Sequence, residues 1–143
     1  MNVIDDFEGA YEFLSNFHES PVMYDGIQYG SSEAAFQAAK TLDIDERRSI
    51  AKLSPDEAKH AGRSLTLRND WENVKVSIME EVLRAKFTQH PELLQKLLAT
   101  EKALLVEGND WLDTFWGFDV NLGYGANMLG QLLMKIRADH QEH

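Results

Sequence analysis

The stretch VMYDGIQYGSSEAAFQAAK, residues 22–40, predicts a short β-hairpin followed directly by a helix. Two short strand-forming runs flank an Asp-Gly pair at 25–26, and this dipeptide readily adopts the positive φ angles of a two-residue hairpin turn. Ser31 or Ser32 can cap the helix that follows, which we expect to run to about Leu42. A hairpin beside a helix is typical of an α+β arrangement.

The predicted helix carries one polar stripe. Between the cap and Lys40 the polar side chains are Glu33, Gln37 and Lys40, and their spacing puts them on one helical face. The other positions are alanine and phenylalanine, which are too apolar for a surface helix. A buried Glu and Lys with ligand access are groups whose pKa values shift into a useful range, so we interpret the stripe as a candidate site. The alternative is an ordinary solvent-exposed stripe.

Four further helices are predicted after residue 53. The first has a capping box at 54–57 with proline at its first position and a stop at Gly62, and the second runs from Trp71 to about Gln89 with apolar residues three and four apart. Pro91 begins the third, and Gly125 or Asn127 precedes the fourth. Together with a short strand at 103–106, these elements predict a mostly helical α+β fold with a few short strands.

Length and composition indicate one domain over residues 1–143 of an ordinary globular protein. The chain is 43% hydrophobic and 27% charged, has no apolar run long enough to cross a bilayer and has no cysteine, so we expect a cytoplasmic protein. The net charge of -10 argues against a broad nucleic-acid-binding surface. Eight of the fourteen basic residues lie within 40–75, which makes a small phosphate pocket there plausible beside the alternative of a solvated mixed-charge face.

A second candidate site lies in the stretch 107–130. It combines the carboxylates Glu107 and Asp113 with Trp111 and Trp116 in a glycine-rich segment, and loops on rigid scaffolds often carry binding and catalysis. A flat ligand stacked on tryptophan beside proton-moving carboxylates would suit this composition, although a purely structural loop is an equal alternative. The histidines have no paired ligand spacing and no common phosphate-binding glycine motif is present, so we predict no metal and no cofactor.

Ordered blocks along nearly the whole chain resemble the NADAR family, also called YbiA-like. The resemblance rests on residues 7–17 (FEGAYEFLSNF), 29–40 (YGSSEAAFQAAK), 70–72, 85–87, 105–107, 113–117 and 125–130, continuing to Arg137. It implies an N-glycosidase fold and a hydrolase that cleaves the bond between ribose C1′ and a nitrogen. One branch of the family acts on phosphorylated intermediates of riboflavin synthesis, and another removes ADP-ribose from guanine bases of nucleic acid.

The resemblance also implies functional residues at matching positions. These are the catalytic candidates Glu33, Lys40, Glu107 and Asp113, the tryptophans Trp71 and Trp116, and the ligand contacts Asn16 and Asn127. Two departures bear on the substrate. Many relatives have His directly after the helix glutamate where this chain has Ala34, and residues 118–124 lack the lysine-rich glycine loop of the riboflavin-type members.

The chemistry of N-glycoside cleavage fits these residue types. An acid must protonate the leaving nitrogen while a carboxylate stabilises the oxocarbenium ion or activates water, and the sequence leaves open which acid takes which role. Trp71 or Trp116 could stack on the base, and Arg63 or Arg68 could pair with a phosphate. Lys40 could form a Schiff base with a ring-opened C1′ or could hold Glu33 ionised.

Two other functions are compatible with the same residues. The chain could bind ADP-ribose or a related nucleotide without cleaving it, or it could be a small acidic scaffold whose tryptophan-rich loop is structural. We predict that the partner is a small ribosylated base or an ADP-ribosylated nucleotide and not a membrane. The oligomeric state, the leaving base and the free or nucleic-acid-attached state of the substrate stay open.

Overall fold

Helices dominate residues 2–141, which are the residues described by the computed structural model. The helices are α1 (Ser32–Ala38), α2 (Ile44–Ala51), α3 (Pro55–Ala61), α4 (Trp71–Gln89), α5 (Pro91–Ala99) and α6 (Met128–Gln141), with 3₁₀ helices at Gly9–Leu14 and Gly62–Ser64. The strands are β1 (Val3–Ile4), β2 (Val22–Tyr24), β3 (Ile27–Tyr29), β4 (Leu104–Leu105), β5 (Gly108–Asn109) and β6 (Phe118–Asp119). The predicted mostly helical α+β fold is confirmed. The described residues fall into two compact units, residues 16–90 and residues 2–15 with 91–141.

The hairpin in the unit 16–90 matches the prediction residue for residue. Strands β2 and β3 pair antiparallel, with Val22 opposite Tyr29 and Tyr24 opposite Ile27. The turn residues have φ angles of 49° at Asp25 and 80° at Gly26, the left-handed conformation that a two-residue hairpin turn requires.

Helix α1 lies at the centre of this unit. Every residue of the helix is buried, and it contacts α2, α3, α4 and the hairpin strands. Ser31 caps it, since the Ser31 hydroxyl accepts a hydrogen bond from the Ala34 nitrogen at 3.1 Å. The prediction of a helix too apolar for the surface is therefore confirmed.

The predicted end of α1 near Leu42 is wrong, because the helix ends at Ala38. The Thr41 hydroxyl accepts a hydrogen bond from the Asp43 nitrogen and donates one to Glu46 at 2.6 Å. Asp43 then caps α2, a helix that the pattern analysis missed. Short polar side chains that bond to nearby backbone groups compete with helix continuation, which is the physical reason for the early end.

Helices α3 and α4 confirm their predictions. Ser54 and Glu57 form the predicted capping box, and α3 stops before Gly62. Helix α4 spans the predicted Trp71–Gln89 and buries Ile78, Val82 and, beyond the predicted stripe, Leu83. A long helix with a regular apolar repeat is the element most readily predicted from a sequence.

The second unit pairs its short strands in parallel. Strand β1 pairs with β4 and β5 pairs with β6, and α6 packs against α5 and β4. The predicted strand at 103–106 is present as β4, which lies within an apolar run, whereas β1, β5 and β6 were not predicted because they are two-residue strands with no such run around them. Within residues 2–141, no helix is both long and apolar enough to cross a membrane.

Candidate functional site

The structure places the candidate residues in two groups, one in each unit. The unit 16–90 holds the following side chains: Asn16, Glu33, Lys40, Arg63, Arg68 and Trp71. The other unit holds Glu107, Asp113, Trp116 and Asn127.

Glu33 lies in the first turn of α1 and is held from two sides. Its backbone nitrogen donates to the Asn16 carbonyl at 3.0 Å, and its side-chain Oε2 accepts a hydrogen bond from Gln37 Nε2 at 2.7 Å. Glu33 as a whole is only 8% exposed. A hydrogen bond donated to a carboxylate favours the ionised form, so this geometry suits a carboxylate that acts as a base or as an electrostatic stabiliser.

Asn16, predicted as a ligand contact, acts as an anchor for the start of α1. Its Oδ1 accepts from the Ser32 hydroxyl at 2.8 Å, and its Nδ2 lies 3.5 Å from the sulfur of Met79. The side chain is buried. In this structure the Asn16 amide is engaged by protein groups that fix the backbone beside Glu33.

Lys40 follows the C-terminal end of α1 and is partly buried. Desolvation by burial lowers the pKa of Lys40, the nearby Glu33 carboxylate raises it and the Arg63 guanidinium lowers it further. A carboxylate and two cationic groups therefore lie close enough to influence one another. Such a cluster can hold an anion while keeping part of the lysine in its neutral, nucleophilic form.

The two candidate arginines differ in what they contact. Arg68 donates two hydrogen bonds to the Asp70 carboxylate, from Nε to Oδ1 at 2.7 Å and from Nη2 to Oδ2 at 3.2 Å. Its Nη1 also donates to the Ala39 carbonyl at 3.4 Å. Arg63 is exposed, and its guanidinium makes no hydrogen bond to any residue within 2–141. Arg63 is therefore the arginine with a guanidinium available to a phosphate, while Arg68 braces the end of α1.

Trp71, a predicted stacking residue, is the first residue of α4 and is 7% exposed. Its ring packs against Phe36 of α1 with centroids 5.1 Å apart and planes tilted by 52°. Most of the indole surface is thus committed to holding α4 against α1. The prediction that Trp71 contacts ligand stays a prediction.

In the other unit, Glu107 and Asn127 are joined directly. Asn127 Oδ1 accepts from the Glu107 nitrogen at 2.9 Å, and Asn127 Nδ2 donates to the Leu105 carbonyl at 2.9 Å. Asn127, predicted as a ligand contact, thereby ties the start of α6 to the segment that carries Glu107. Its φ of 52° is a left-handed conformation that asparagine tolerates better than most residues.

Asp113 and Trp116 lie on one tight turn. Asp113 Oδ1 accepts from the backbone nitrogens of Phe115 at 3.2 Å and Trp116 at 2.9 Å. The Trp116 ring meets Phe115 edge-on, with centroids 4.8 Å apart. Trp116 is half-buried, whereas Trp111 is 58% exposed. One oxygen of the Asp113 carboxylate is thus used to shape the turn that presents Trp116.

Two residues that the sequence analysis missed organise this loop. Buried Asn109 accepts from the Trp111 and Asp113 nitrogens and donates to the Asp113 carbonyl at 2.9 Å. Buried Asp119 accepts from three backbone nitrogens, those of Leu122 at 2.7 Å, Leu112 at 2.8 Å and Asn121 at 2.9 Å. These hydrogen bonds, the one from Leu122 first, lower the pKa of Asp119. Asn and Asp are common turn residues, and nothing in their spacing showed that these two are buried.

No group of three or more His, Asp or Glu side chains among residues 2–141 is arranged to hold a metal ion. The chemistry available to the described residues is that of carboxylates, a partly buried lysine, an exposed guanidinium and aromatic rings. Proton transfer, electrostatic stabilisation of a cation, and imine formation are within the reach of these groups.

A model of the NADAR domain matches residues 5–140 of the chain. The chain belongs to the NADAR family. It is 46% identical over 130 residues to the N-glycosidase YbiA of Escherichia coli, covering 89% of this chain and 80% of that protein. The NMR structure of E. coli YbiA superposes with a TM-score of 0.87 at 41% identity, covering 98% of this chain and 85% of that one.

Two more distant NADAR relatives extend the comparison. An N-glycosidase of Nostoc punctiforme is 36% identical over 135 residues, covering 90% of this chain and 85% of that protein. A riboflavin biosynthesis protein of Vibrio vulnificus is 35% identical over 136 residues, covering 92% of this chain but 36% of that protein. The N-glycosidase relatives of E. coli and Nostoc punctiforme confirm the predicted class of enzyme, a hydrolase acting on N-glycosyl bonds.

Proposed function

We propose that this NADAR protein hydrolyses the bond between ribose C1′ and a nitrogen of a phosphorylated, ribosylated base. The observation that carries the proposal is the cluster of Glu33, Lys40 and Arg63 in the unit 16–90, in which a buried carboxylate lies near a partly buried amine and an exposed guanidinium. The names of the N-glycosidase relatives support the bond type.

In the proposed reaction, Glu33 acts in its ionised form. Departure of the base leaves positive charge on C1′ and the ring oxygen, and a carboxylate close to that charge lowers the barrier or takes a proton from the attacking water. The hydrogen bond from Gln37 and the attraction of Lys40 both favour an ionised Glu33. The leaving nitrogen must receive a proton from another group. Glu107 and Asp113 are the residues predicted from the sequence for this role of general acid, and that role stays a prediction.

Lys40 has two possible roles in this reaction. As a nucleophile, its neutral amine attacks the aldehyde-level C1′ of a ring-opened riboside, the base leaves as its amine, and water hydrolyses the resulting imine to release the lysine. As an ion-pair partner, it stays protonated and stabilises the Glu33 carboxylate. The lowered pKa of Lys40 supports the first role, since burial increases the neutral fraction.

Two substrate types are consistent with a phosphate held by Arg63. Relatives named riboflavin biosynthesis proteins in Vibrio vulnificus and Arabidopsis thaliana favour an intermediate of the 5-amino-6-ribosylaminouracil 5′-phosphate type. The second candidate is ADP-ribosylated guanine in nucleic acid. The family resemblance favours it, since many members have histidine where this chain has Ala34, and the riboflavin-type members have a lysine-rich loop that this chain lacks at 118–124.

A parallel cleavage assay tests the proposal. Wild type and Glu33→Gln are incubated without added metal with 5-amino-6-ribosylaminouracil 5′-phosphate and with an oligonucleotide carrying ADP-ribosylated guanine, and products are identified by mass spectrometry. Ribose phosphate released from the first or ADP-ribose from the second by wild type supports the proposal and selects the substrate. No release from either substrate, with tight binding of ADP-ribose, would contradict it in favour of a non-catalytic binding module.

A further inference from the structure

We infer that Gln37 is a positioning residue that fixes the Glu33 carboxylate, and that Gly62 provides the space in which Gln37 does so. The inference rests on the proposed function, in which Glu33 acts in catalysis. Gln37 touches no reacting atom in this scheme and acts only through Glu33.

The Gln37 side chain is placed to orient a carboxylate. Gln37 is 6% exposed, lies one helical turn after Glu33 on α1, and donates Nε2 to Glu33 Oε2 at 2.7 Å. The same amide leaves its Oε1 buried without a hydrogen-bond partner among residues 2–141. A buried amide with an unsatisfied oxygen destabilises the fold, so stability alone does not explain a glutamine here.

Gly62 is explained by the same side chain. It follows α3 as the C-cap, a position where glycine usually provides a positive φ, yet its φ is -57°, which any residue adopts. A Cβ built at Gly62 would overlap Gln37 Oε1 and lie 2.8 Å from Gln37 Cδ. The three nearest atoms all belong to the Gln37 side chain, and displacing its carboxamide would disturb the hydrogen bond to Glu33.

The charged neighbours and Gln37 affect the Glu33 site in different ways. Lys40 interacts electrostatically with the Glu33 carboxylate, and Arg63 interacts electrostatically with Lys40. Gln37 is neutral and adds direction, since its hydrogen bond selects one rotamer of the Glu33 carboxylate. Loss of that hydrogen bond should therefore lower turnover more than substrate affinity.

Gln37→Met separates a positioning role from a structural one. Methionine keeps the length of the side chain but removes both the unsatisfied oxygen, which is stabilising, and the donor to the buried Glu33 carboxylate, which is destabilising, so we expect Tm to stay within a few degrees of wild type. Turnover on whichever substrate wild type cleaves should fall on the order of 10-fold, with KM within about twofold, because the carboxylate is no longer held in its productive geometry. Wild-type kcat in Gln37→Met would overturn the inference.

A double-mutant cycle tests the role of Gly62. Gly62→Ala should lower kcat on the order of 10-fold in wild type but less than about twofold in a Gln37→Ala background, where the added methyl meets no carboxamide. Gly30→Ala is the matched control, since a Cβ there meets only the Leu53 carbonyl at 3.9 Å. An equal loss in both backgrounds, or no loss in wild type, would overturn the role of Gly62.

Glu33→Gln, measured in the same series, distinguishes the two failures. If it retains wild-type turnover, Glu33 is not catalytic and the inference falls together with the proposed role. If it is inactive while Gln37→Met turns over normally, only the inference on Gln37 fails.

Discussion

The side-chain oxygen of Asn127 lies 2.9 Å from the backbone nitrogen of Glu107, 20 positions earlier in the chain. The amide nitrogen of the same side chain donates to the Leu105 carbonyl. A Cβ at Gly130 would overlap that carbonyl and lie 2.5 Å from both amide atoms of Asn127, so glycine is required one turn later for the contact to form. One asparagine thus sets the backbone that carries a candidate catalytic carboxylate.

Replacing Asn127 should uncouple the two segments. Asn127→Gly keeps the left-handed backbone but removes both hydrogen bonds, and we expect a loss of about 1–3 kcal/mol in the free energy of unfolding, the usual effect of unpaired buried polar groups. Asn127→Asp keeps an acceptor for the Glu107 nitrogen but sets a carboxylate oxygen against the Leu105 carbonyl, so we expect it to be destabilised as well. Urea denaturation measures both, and an Asn127→Gly variant as stable as wild type would contradict the assignment.

Asp119 should be the main support of the loop that carries Trp111 and Leu112. In Asp119→Asn, an amide NH₂ would face the Leu112 nitrogen that now donates to Asp119 Oδ2, and Leu112 already has a φ of 70°. We expect Tm to fall on the order of 5 °C and hydrogen exchange to rise at 110–113, with α4 unaffected. A protection pattern identical to that of wild type would rule out this supporting role.

The same residue should affect the acid stability of the protein. Because the pKa of Asp119 is lowered below its ordinary value of 3.8, its contribution to stability is fully present above that value and is lost as pH falls through the lower folded pKa. Between neutral pH and pH 3, the difference in unfolding free energy between wild type and Asp119→Asn should therefore begin to shrink as the pH falls below about 3.8. A constant difference over this range would show that ionisation of Asp119 does not contribute.

The sequence predicted the elements whose cause is local. The hairpin follows from an Asp-Gly turn, and α4 follows from apolar residues repeated over 19 residues. Asn109 and Asp119 could not be predicted as loop supports, because their burial depends on a backbone path that brings together nitrogens from several turns. The same limit applies to Asn16 and Gln37, whose hydrogen-bond partners depend on how α1 packs within the unit 16–90.

Arg63 and Arg68 were equivalent in the sequence and should behave differently in experiments. Arg63→Ala removes an exposed guanidinium, and we expect KM for the phosphorylated substrate to rise about 10-fold with Tm unchanged, as for the loss of one charged hydrogen bond. Arg68→Ala breaks the two hydrogen bonds to Asp70 and the one to the Ala39 carbonyl, so Tm should fall. Steady-state kinetics and thermal melts on both variants check this, and an unchanged KM in Arg63→Ala would remove it from phosphate binding.

Glu33 should be essential for turnover but not for folding. Glu33→Gln preserves the shape of the side chain and an oxygen that can accept from Gln37, so we expect a wild-type circular dichroism spectrum and Tm within a few degrees. Turnover should fall at least about 100-fold, the lower end for loss of a catalytic acid or base. Near-normal turnover in a folded variant would exclude Glu33 from the mechanism, and Glu57→Gln on α3, which alters an exposed capping carboxylate, is the control.

Lys40→Ala should abolish nearly all activity whichever role the lysine has, so a second measurement must separate the imine from the ion pair. Borohydride added during turnover reduces an imine to a stable amine, and we expect wild type to gain at Lys40 the mass of ribose phosphate or ADP-ribose, less water and plus two hydrogens, while Lys40→Arg gains none. Because burial lowers the pKa of Lys40 from its ordinary 10.5, the neutral amine and the imine-forming rate should increase with pH and level off below that value. An unmodified Lys40 after borohydride treatment, with Lys40→Arg retaining turnover, would show that the residue acts as the cation beside Glu33.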